Sequence, residues 1–271
     1  MNTIYHYTDL NALLNIIQNG KLWLTNSRNL NDHQEVSWFL NKFKEAKGKA
    51  LQAHPELKEL EDLFHNLWMN LNYSFETHIC SFSTESDRLS QWRAYADDGQ
   101  GVAIGFKKET FKLNSNPLML HVDPKRTIGI YNVIYDENKQ NKLIEELVNK
   151  IIQFAKNGIS SNRVEFFELM FEVSVYPVIF KNIAFEEEKE IRIVHIAHID
   201  NPSGHISKAK HRVTAGTIAT YFELNFQESG AEICKIRLGP KCKMTETDLK
   251  LFLKYNKIKD SKIEYSTATY R

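Results

Sequence analysis

Alternating apolar and polar positions divide the chain into short strands separated by amphipathic helices. Ile4 to Thr8 is rich in aromatic and β-branched residues and predicts a strand. Leu10, Leu13, Leu14 and Ile17 then follow a helical stripe behind Thr8 or Asp9 as a cap, and Gly20 ends it. Lys21 to Thr25 returns to a strand with Leu22 and Leu24 on one face. This strand–helix–strand opening brings two strand ends near one helix terminus, a good place for a site. Residues 34–75 read as helical with a break near Pro55, and residues 138–175 as two helices broken at Gly158. Between and after them, strands are expected at Thr77–Ser83, Val102–Phe106, Tyr131–Tyr135, Val178–Lys181, Glu188–His195, Thr217–Glu223 and Glu232–Leu238. A helix over Asp87–Asp97, another near Glu246–Asn256 and a strand near Lys262–Ser266 complete the pattern.

No internal repeat, low-complexity tract or linker interrupts this order. Strands at both ends with helical blocks between them favour a single α+β domain over 1–271, with a central mixed or antiparallel β core and helical insertions at about 34–75 and 138–175. The balance of 42% hydrophobic and 25% charged residues excludes a disordered or fibrous chain. No run approaches the ~18 apolar residues of a membrane span, and Met1 to Thr8 lacks the pattern of a secretory signal. Cys80, Cys234 and Cys242 form no CxxC pair, so a reduced, cytoplasmic protein is expected.

Candidate chemistry concentrates in few places. In the segment from Phe185 to Ile193, a strand would put Glu188, Glu190 and Arg192 on one face and Ile191 and Ile193 on the other. Arg192 would hold a carboxylate by paired hydrogen bonds, or the whole face would be a solvated row of ion pairs. His6 stands between Tyr5 and Tyr7, where an imidazole at a strand end suits a ribose hydroxyl and a tyrosine suits stacking on a heteroaromatic ring. The alternative is a core histidine bound to a backbone carbonyl. Asn31 and Asp32 with Glu35 suit a turn and helix cap, and Gln91, Trp92 and Tyr95 share a helix face that core packing would also explain.

Other motifs are weak. Gly99-Gln-Gly101 leads into a strand and is no dinucleotide fingerprint, and GxxxxGK[ST], GxSxG and HExxH are missing from the sequence. His195, His198, His205 and His211 match no compact zinc spacing, so no metal is expected. Cys80 falls on a strand, where buried thiols are inert. Net charge is only +1, yet residues 235–271 hold ten Lys or Arg against four Asp or Glu, and Lys208, Lys210, His211 and Arg212 form a second basic cluster. Such faces guide anionic partners, nucleic acids included, or are simply solvated.

Together these segments resemble a bacterial family known as domain of unknown function 2971. The resemblance runs through His6-Tyr7-Thr8, Gly20-Lys-Leu-Trp-Leu24, Leu30-Asn31-Asp32 with Glu35, and Cys80-Ser-Phe-Ser83. It continues in Gln91-Trp92 with Tyr95, Gly101–Phe106, Lys181, Phe185, Glu188, Glu190 and Arg192, then Leu238-Gly-Pro240, Ser266 and Tyr270-Arg271, over nearly the whole chain. Phe185 stands where tryptophan is expected, and His33 where proline is common. More distantly, an early histidine, aromatic residues and a late glutamate are similar to the His–Tyr–Glu set of ADP-ribosyltransferases.

That likeness implies an NAD-consuming transferase or glycohydrolase, with NAD as substrate and no metal, of the kind that serves in toxin or antiphage settings. It implies Glu190 as the carboxylate facing the ribose, Glu188 second to it, and Arg192 orienting them or binding a phosphate. His6 would hold the adenosine-side ribose, and Thr8 belongs to the cofactor-binding set. Tyr7, Trp92 or Tyr95 would stack on nicotinamide, and Asn31 and Asp32 would shape the rim. The acceptor would be a nucleic acid, a protein or water, and a neutralising partner protein is a further expectation. Two alternatives stay open: a non-catalytic nucleotide-binding or phage-sensing module, and a magnesium-dependent nuclease using Asp32, Glu35, Glu188 and Glu190.

Overall fold

The computed structural model describes residues 2–29, 33–57, 59–73, 75–113, 127–157, 163–199, 206–214, 216–258 and 261–270. Strand β1 (Thr3–Thr8) leads into helix α1 (Leu10–Asn19), whose first turn is closed by the Asp9 carboxylate accepting from the Ala12 amide at 2.8 Å. Gly20 ends α1 at φ 64°, a left-handed conformation in which a Cβ would also collide with Gln227. Strand β2 (Lys21–Asn26) follows, then α2 (His33–Ala53) and α3 (Leu60–Tyr73), which part at the expected break. Strand β3 (Phe75–Ser83), α4 (Leu89–Tyr95) and β4 (Val102–Lys107) come next. After β5 (Ile128–Asn132), the chain forms α5 (Glu137–Lys156) and α6 (Arg163–Ile179). It closes through β6 (Glu190–His198), β7 (Lys210–Thr214), β8 (Thr217–Asn225), α7 (Phe226–Ser229), β9 (Ile233–Leu238), α8 (Glu246–Tyr255) and β10 (Lys262–Tyr265).

All ten described strands join one mixed sheet, and β9–β10 is its parallel pair. The path β10-β9-β4-β1-β3-β2-β8-β7 carries a branch, because β3 also pairs along its whole length with β6, which pairs with β5. β1 meets β3 at Tyr5↔Ser83, and β2 meets it at Thr25↔Ile79 and Asn26↔His78. Two arms of the sheet therefore share one edge of β3 and diverge along it. One face packs on α2, α3, α5 and α6 through Phe39, Leu63, Leu147, Ile151, Val194 and Ile196. The other packs on α1 and α8 through Leu13, Ile17, Leu24, Ile193, Leu249 and Leu253.

Three sequence expectations are corrected. Val178 and Ile179 end α6 rather than forming a strand, and only Phe180 makes a bridge, to Ile134. The run is apolar on all sides because it enters the core, so periodicity does not separate helix from strand there. The strand expected at Tyr131–Tyr135 lies at Ile128–Asn132. Glu188 belongs to a 3-10 turn spanning Ile183–Glu188, and Lys189 at φ 45° turns the chain into β6. Glu188 is thus not on the strand face of Glu190 and Arg192. Asn31, Asp32, Gly158 and His205 lie outside the described residues.

Candidate functional site

The site is built where β1 and β3 part. Ser81 sits mid-strand in β3 yet is exposed, because the divergence of β1 leaves no neighbour over it. By strand alternation His6 belongs with Ile4 on the face opposite Tyr5, Tyr7 and Glu190. Its neighbours Cys80 and Phe82 lie on that same face as Ile4. The gap between the strands lets the ring border it as well, with Nδ1 2.9 Å from the Ser81 carbonyl and the ring centroid 5.6 Å from that of Phe82. A carbonyl only accepts, so Nδ1 carries the proton and Nε2 is left as an acceptor. Burial of the ring lowers its pKa, keeping it neutral at physiological pH, with the Ser81 bond opposing in part.

A cavity of about 80 Å³ occupies the gap, lined by Tyr5, His6, Tyr7, Ser81, Phe82, Gln91, Tyr95, Glu188 and Glu190. A water takes about 30 Å³ of liquid, so the space suits a small ring or a few polar atoms, with any larger ligand extending outside. Gln91 and Tyr95 are one helical turn apart on α4 and both reach the cavity, Tyr95 being 46% exposed. A wider cleft of about 480 Å³ lies between α2 and α5, but its lining of Lys42, Glu45, Lys49 and Glu137 belongs to lysine–carboxylate surface pairs. It gathers no buried polar group.

The cavity floor is an ionic network. Arg192 donates from Nε to Glu190 Oε1 at 2.7 Å and from Nη2 to Oε2 at 2.8 Å, and its Nη1 reaches the Val178 carbonyl at 2.7 Å. Lys181, 2% exposed, donates to Glu188 Oε2 at 2.7 Å and to Glu190 Oε2 at 3.3 Å. Its carbonyl accepts from Gln140 Nε2 at 2.9 Å, and its ammonium lies 5.0 Å from the centre of the Phe185 ring. Backbone groups complete the corner: the Ser83 hydroxyl donates to the Glu188 carbonyl, and the Glu190 amide donates to the Tyr135 hydroxyl. Burial alone would raise the Glu190 pKa, but Arg192 and then Lys181 outweigh it and bring it to about 2. Glu190 is therefore an ionised carboxylate, 8% exposed, at the edge of the cavity.

Of the residues singled out in the sequence, His6, Tyr7, Tyr95, Glu188 and Glu190 line one cavity, and Arg192 stands directly behind Glu190. Trp92 does not. It is fully buried, packs edge-on to Tyr7 at 4.8 Å and donates from Nε1 to Asp87 at 2.8 Å, so it supports α4 from the core. Tyr7 is held at its hydroxyl, donating to the Glu85 carbonyl and accepting from the Arg88 amide. Thr8 is buried opposite Val102 and does not line the cavity, and the close passage of its carbonyl leaves no room for a Cβ at Gly101. That approach accounts for Gly101, while Gly99 takes a left-handed turn at φ 85°.

Lys181 and Ser81 were missed as site residues. Lys181 is a lone lysine in an apolar stretch, and such a lysine is buried only when paired, which was a readable signal. Nothing local marks Ser81. The Cys80 thiol lies 3.9 Å from His6 Nδ1, but burial pushes its pKa up to about 12, so it is no nucleophile. Among the described residues, no group of three or more His, Cys, Asp or Glu is placed to hold a metal ion. Asp32 and the Glu35 side chain lie outside them, while Glu188 and Glu190 converge on Lys181. No described helix is long and apolar enough to cross a membrane.

No curated protein and no solved structure matches the chain. Residues 91–193 match the model of a family described as Protein of unknown function (DUF2971), a part of the chain that carries Gln91, Tyr95, Lys181, Glu188, Glu190 and Arg192.

Proposed function

We propose that the chain is an NAD-consuming enzyme of the ADP-ribosyltransferase or NAD glycohydrolase type, acting in the cytoplasm as a toxin or antiphage effector. One observation carries the reading: a neutral His6, the open Tyr95 ring and the ionised Glu190 border one small cavity at the split of the sheet. In this reading the nicotinamide-side ribose, rather than the adenosine-side ribose that the resemblance implies for His6, enters the cavity, because His6 and Glu190 share it, and the rest of the dinucleotide lies outside. A ribose hydroxyl donates to His6 Nε2, and Tyr95 covers the nicotinamide ring. Cleavage of the glycosidic bond develops oxocarbenium charge on the ribose, which the carboxylate pair stabilises more in the transition state than in the ground state. Glu188 takes the direct ligand contact, while Glu190, gripped by Arg192 and Lys181, supplies fixed negative charge. The acceptor is a nucleic acid, a protein side chain or water.

A second reading, a nucleotide-binding or phage-sensing module without chemistry, draws on another observation: Arg192 occupies both Glu190 oxygens. The test is nicotinamide release from NAD by the purified protein in the presence of RNA, DNA or cell extract, beside Glu188→Gln and Glu190→Gln. Transfer chemistry requires turnover by wild type and a loss of about 100-fold or more in either variant, the scale of removing one electrostatic stabiliser. NAD binding without turnover in any mixture selects the binding module.

A further inference from the structure

The outer arm of the sheet carries a second surface that the cavity does not use. Register pairing puts Lys21, Trp23 and Thr25 of β2, Tyr221 and Glu223 of β8, and Lys210 and Arg212 of β7 on one face. Trp23 is 37% exposed there, with its ring 4.5 Å from that of Tyr221. Arg212 lies over Trp23 at 5.2 Å and donates from Nη2 to the Thr25 hydroxyl at 3.1 Å. No carboxylate pairs with Arg212 among the described residues, and its Nε has no acceptor. Among the described residues paired here Glu223 is the single acid on the face, bridged at 2.7 Å by Lys21 and at 2.8 Å by Lys210, so three cations meet one anion. Lys208, also exposed, adds a fourth cation just before β7.

We propose that this face binds single-stranded nucleic acid, with a base stacked at Trp23 and phosphates held by Lys21, Lys210 and Arg212. Three adjacent strands span about 10 Å, enough for two nucleotides of an extended strand. An exposed indole with a stacked guanidinium and uncompensated cations is the combination that sequence-tolerant single-strand binding needs. A protein partner would call for an apolar centre with few charges, which this face lacks. The surface would act whether or not the cavity turns over NAD.

The test is fluorescence anisotropy of labelled oligothymidylate and oligouridylate, each about twelve nucleotides long, within the usual site-size range. The two probes separate DNA from RNA as the source. Binding is expected to weaken by about tenfold or more in Arg212→Glu and in Lys210→Glu. Trp23→Ala should weaken it several-fold, and Trp23→Phe should restore most of the loss. Affinity should fall with salt at a log–log slope of about −2, for three phosphates at roughly 0.7 each. Urea midpoints equal to wild type confirm that the variants fold, and Lys21→Glu, at a half-buried position, stands in if Arg212→Glu does not. Neither probe binding at low salt, or charge-reversed and Trp23→Ala proteins binding as wild type does, overturns the proposal.

Discussion

Strands β3 and β6 carry two buried polar clusters on opposite faces, and the contrast between them says which one is built for a ligand. Near the end of the pair that holds Ser83↔Glu190, Glu190, Arg192, Lys181 and Glu188 satisfy one another through hydrogen bonds, and the two glutamates border a cavity. Toward the other end, His78 and His195 lie across from each other, 6.2 Å apart, both edge-on to Phe222. Among the described residues neither His78 ring nitrogen has a hydrogen-bond partner, and a Glu76 carboxylate oxygen is 3.8 Å from Nε2. Burial and then the neighbouring His195 hold His78 down to about 3. Charge that is fully paired beside an opening is ready to meet a ligand. Neutral imidazole sealed against phenylalanine fills space.

The largest expected effect tests the first cluster. Arg192→Met leaves Glu190 with Lys181 as its main cation, and breaking a buried pair from one side costs about 3–5 kcal/mol. Chemical denaturation measures it, and a loss under about 1 kcal/mol would mean the network does not hold β6 to α6. The second effect separates the clusters by pH. His78 has its folded pKa lowered from 6.5 to about 3, so its share of stability is complete above the ordinary value and drains away as pH falls toward 3. Glu190 is lowered from 4.5 to about 2, so its share is lost only as pH falls through that lower window. His78→Phe should therefore flatten the stability curve between pH 6.5 and about 3 by up to about 1.4 kcal/mol per pH unit, and leave in place the share that Glu190 loses between about 4.5 and 2. Unfolding free energies at several pH values check this, and a curve unchanged by His78→Phe refutes the assignment.

Two smaller effects probe the cavity wall. Asp87 accepts from Trp92 Nε1, the Ser266 hydroxyl and the Thr267 amide and hydroxyl, and pairs with Arg237, tying the 266–270 segment to α4. Asp87→Asn should cost about 1–2 kcal/mol by weakening hydrogen bonds to a charged acceptor, and should speed proteolysis after β10. Equal proteolysis rates would show that Asp87 does not anchor that segment. Tyr95→Ala should change stability by less than about 0.5 kcal/mol because the ring is half open, yet weaken ligand binding by about tenfold through the lost stacking. Calorimetric titration of NAD measures the second number, and unchanged affinity removes Tyr95 from the site.

Much of this arrangement was legible in the sequence, and the unread parts have definite causes. The α1 unit could be read from Asp9, the Leu13–Ile17 stripe and Gly20, because caps and periodicity are local signals. The segment over Glu188–Arg192 announced itself by carboxylates set among isoleucines. Its geometry did not, since Lys189 at φ 45° takes Glu188 off the strand and only Lys181 from the end of α6 reunites it with Glu190. Trp92 and Tyr95 looked equivalent on a helical wheel, yet one is core and the other cavity wall, a choice made by Asp87 just before the helix and by Tyr7 far back in the chain. His6 could be singled out as an imidazole at a strand end between two tyrosines. The divergence of β1 from β3, a property of the whole sheet, is what opens the cavity beside its ring.

The central claim, that ligand chemistry belongs to the His6 end of this strand system and not to the buried histidine pair, is tested most directly by histidine ring resonances during NAD titration. The signals are assigned by His6→Gln and His78→Phe. The account predicts that the His6 resonances shift saturably with NAD while those of His78 and His195 stay fixed. Shifts confined to His78 and His195, or none at His6 when NAD is shown to bind, would contradict it.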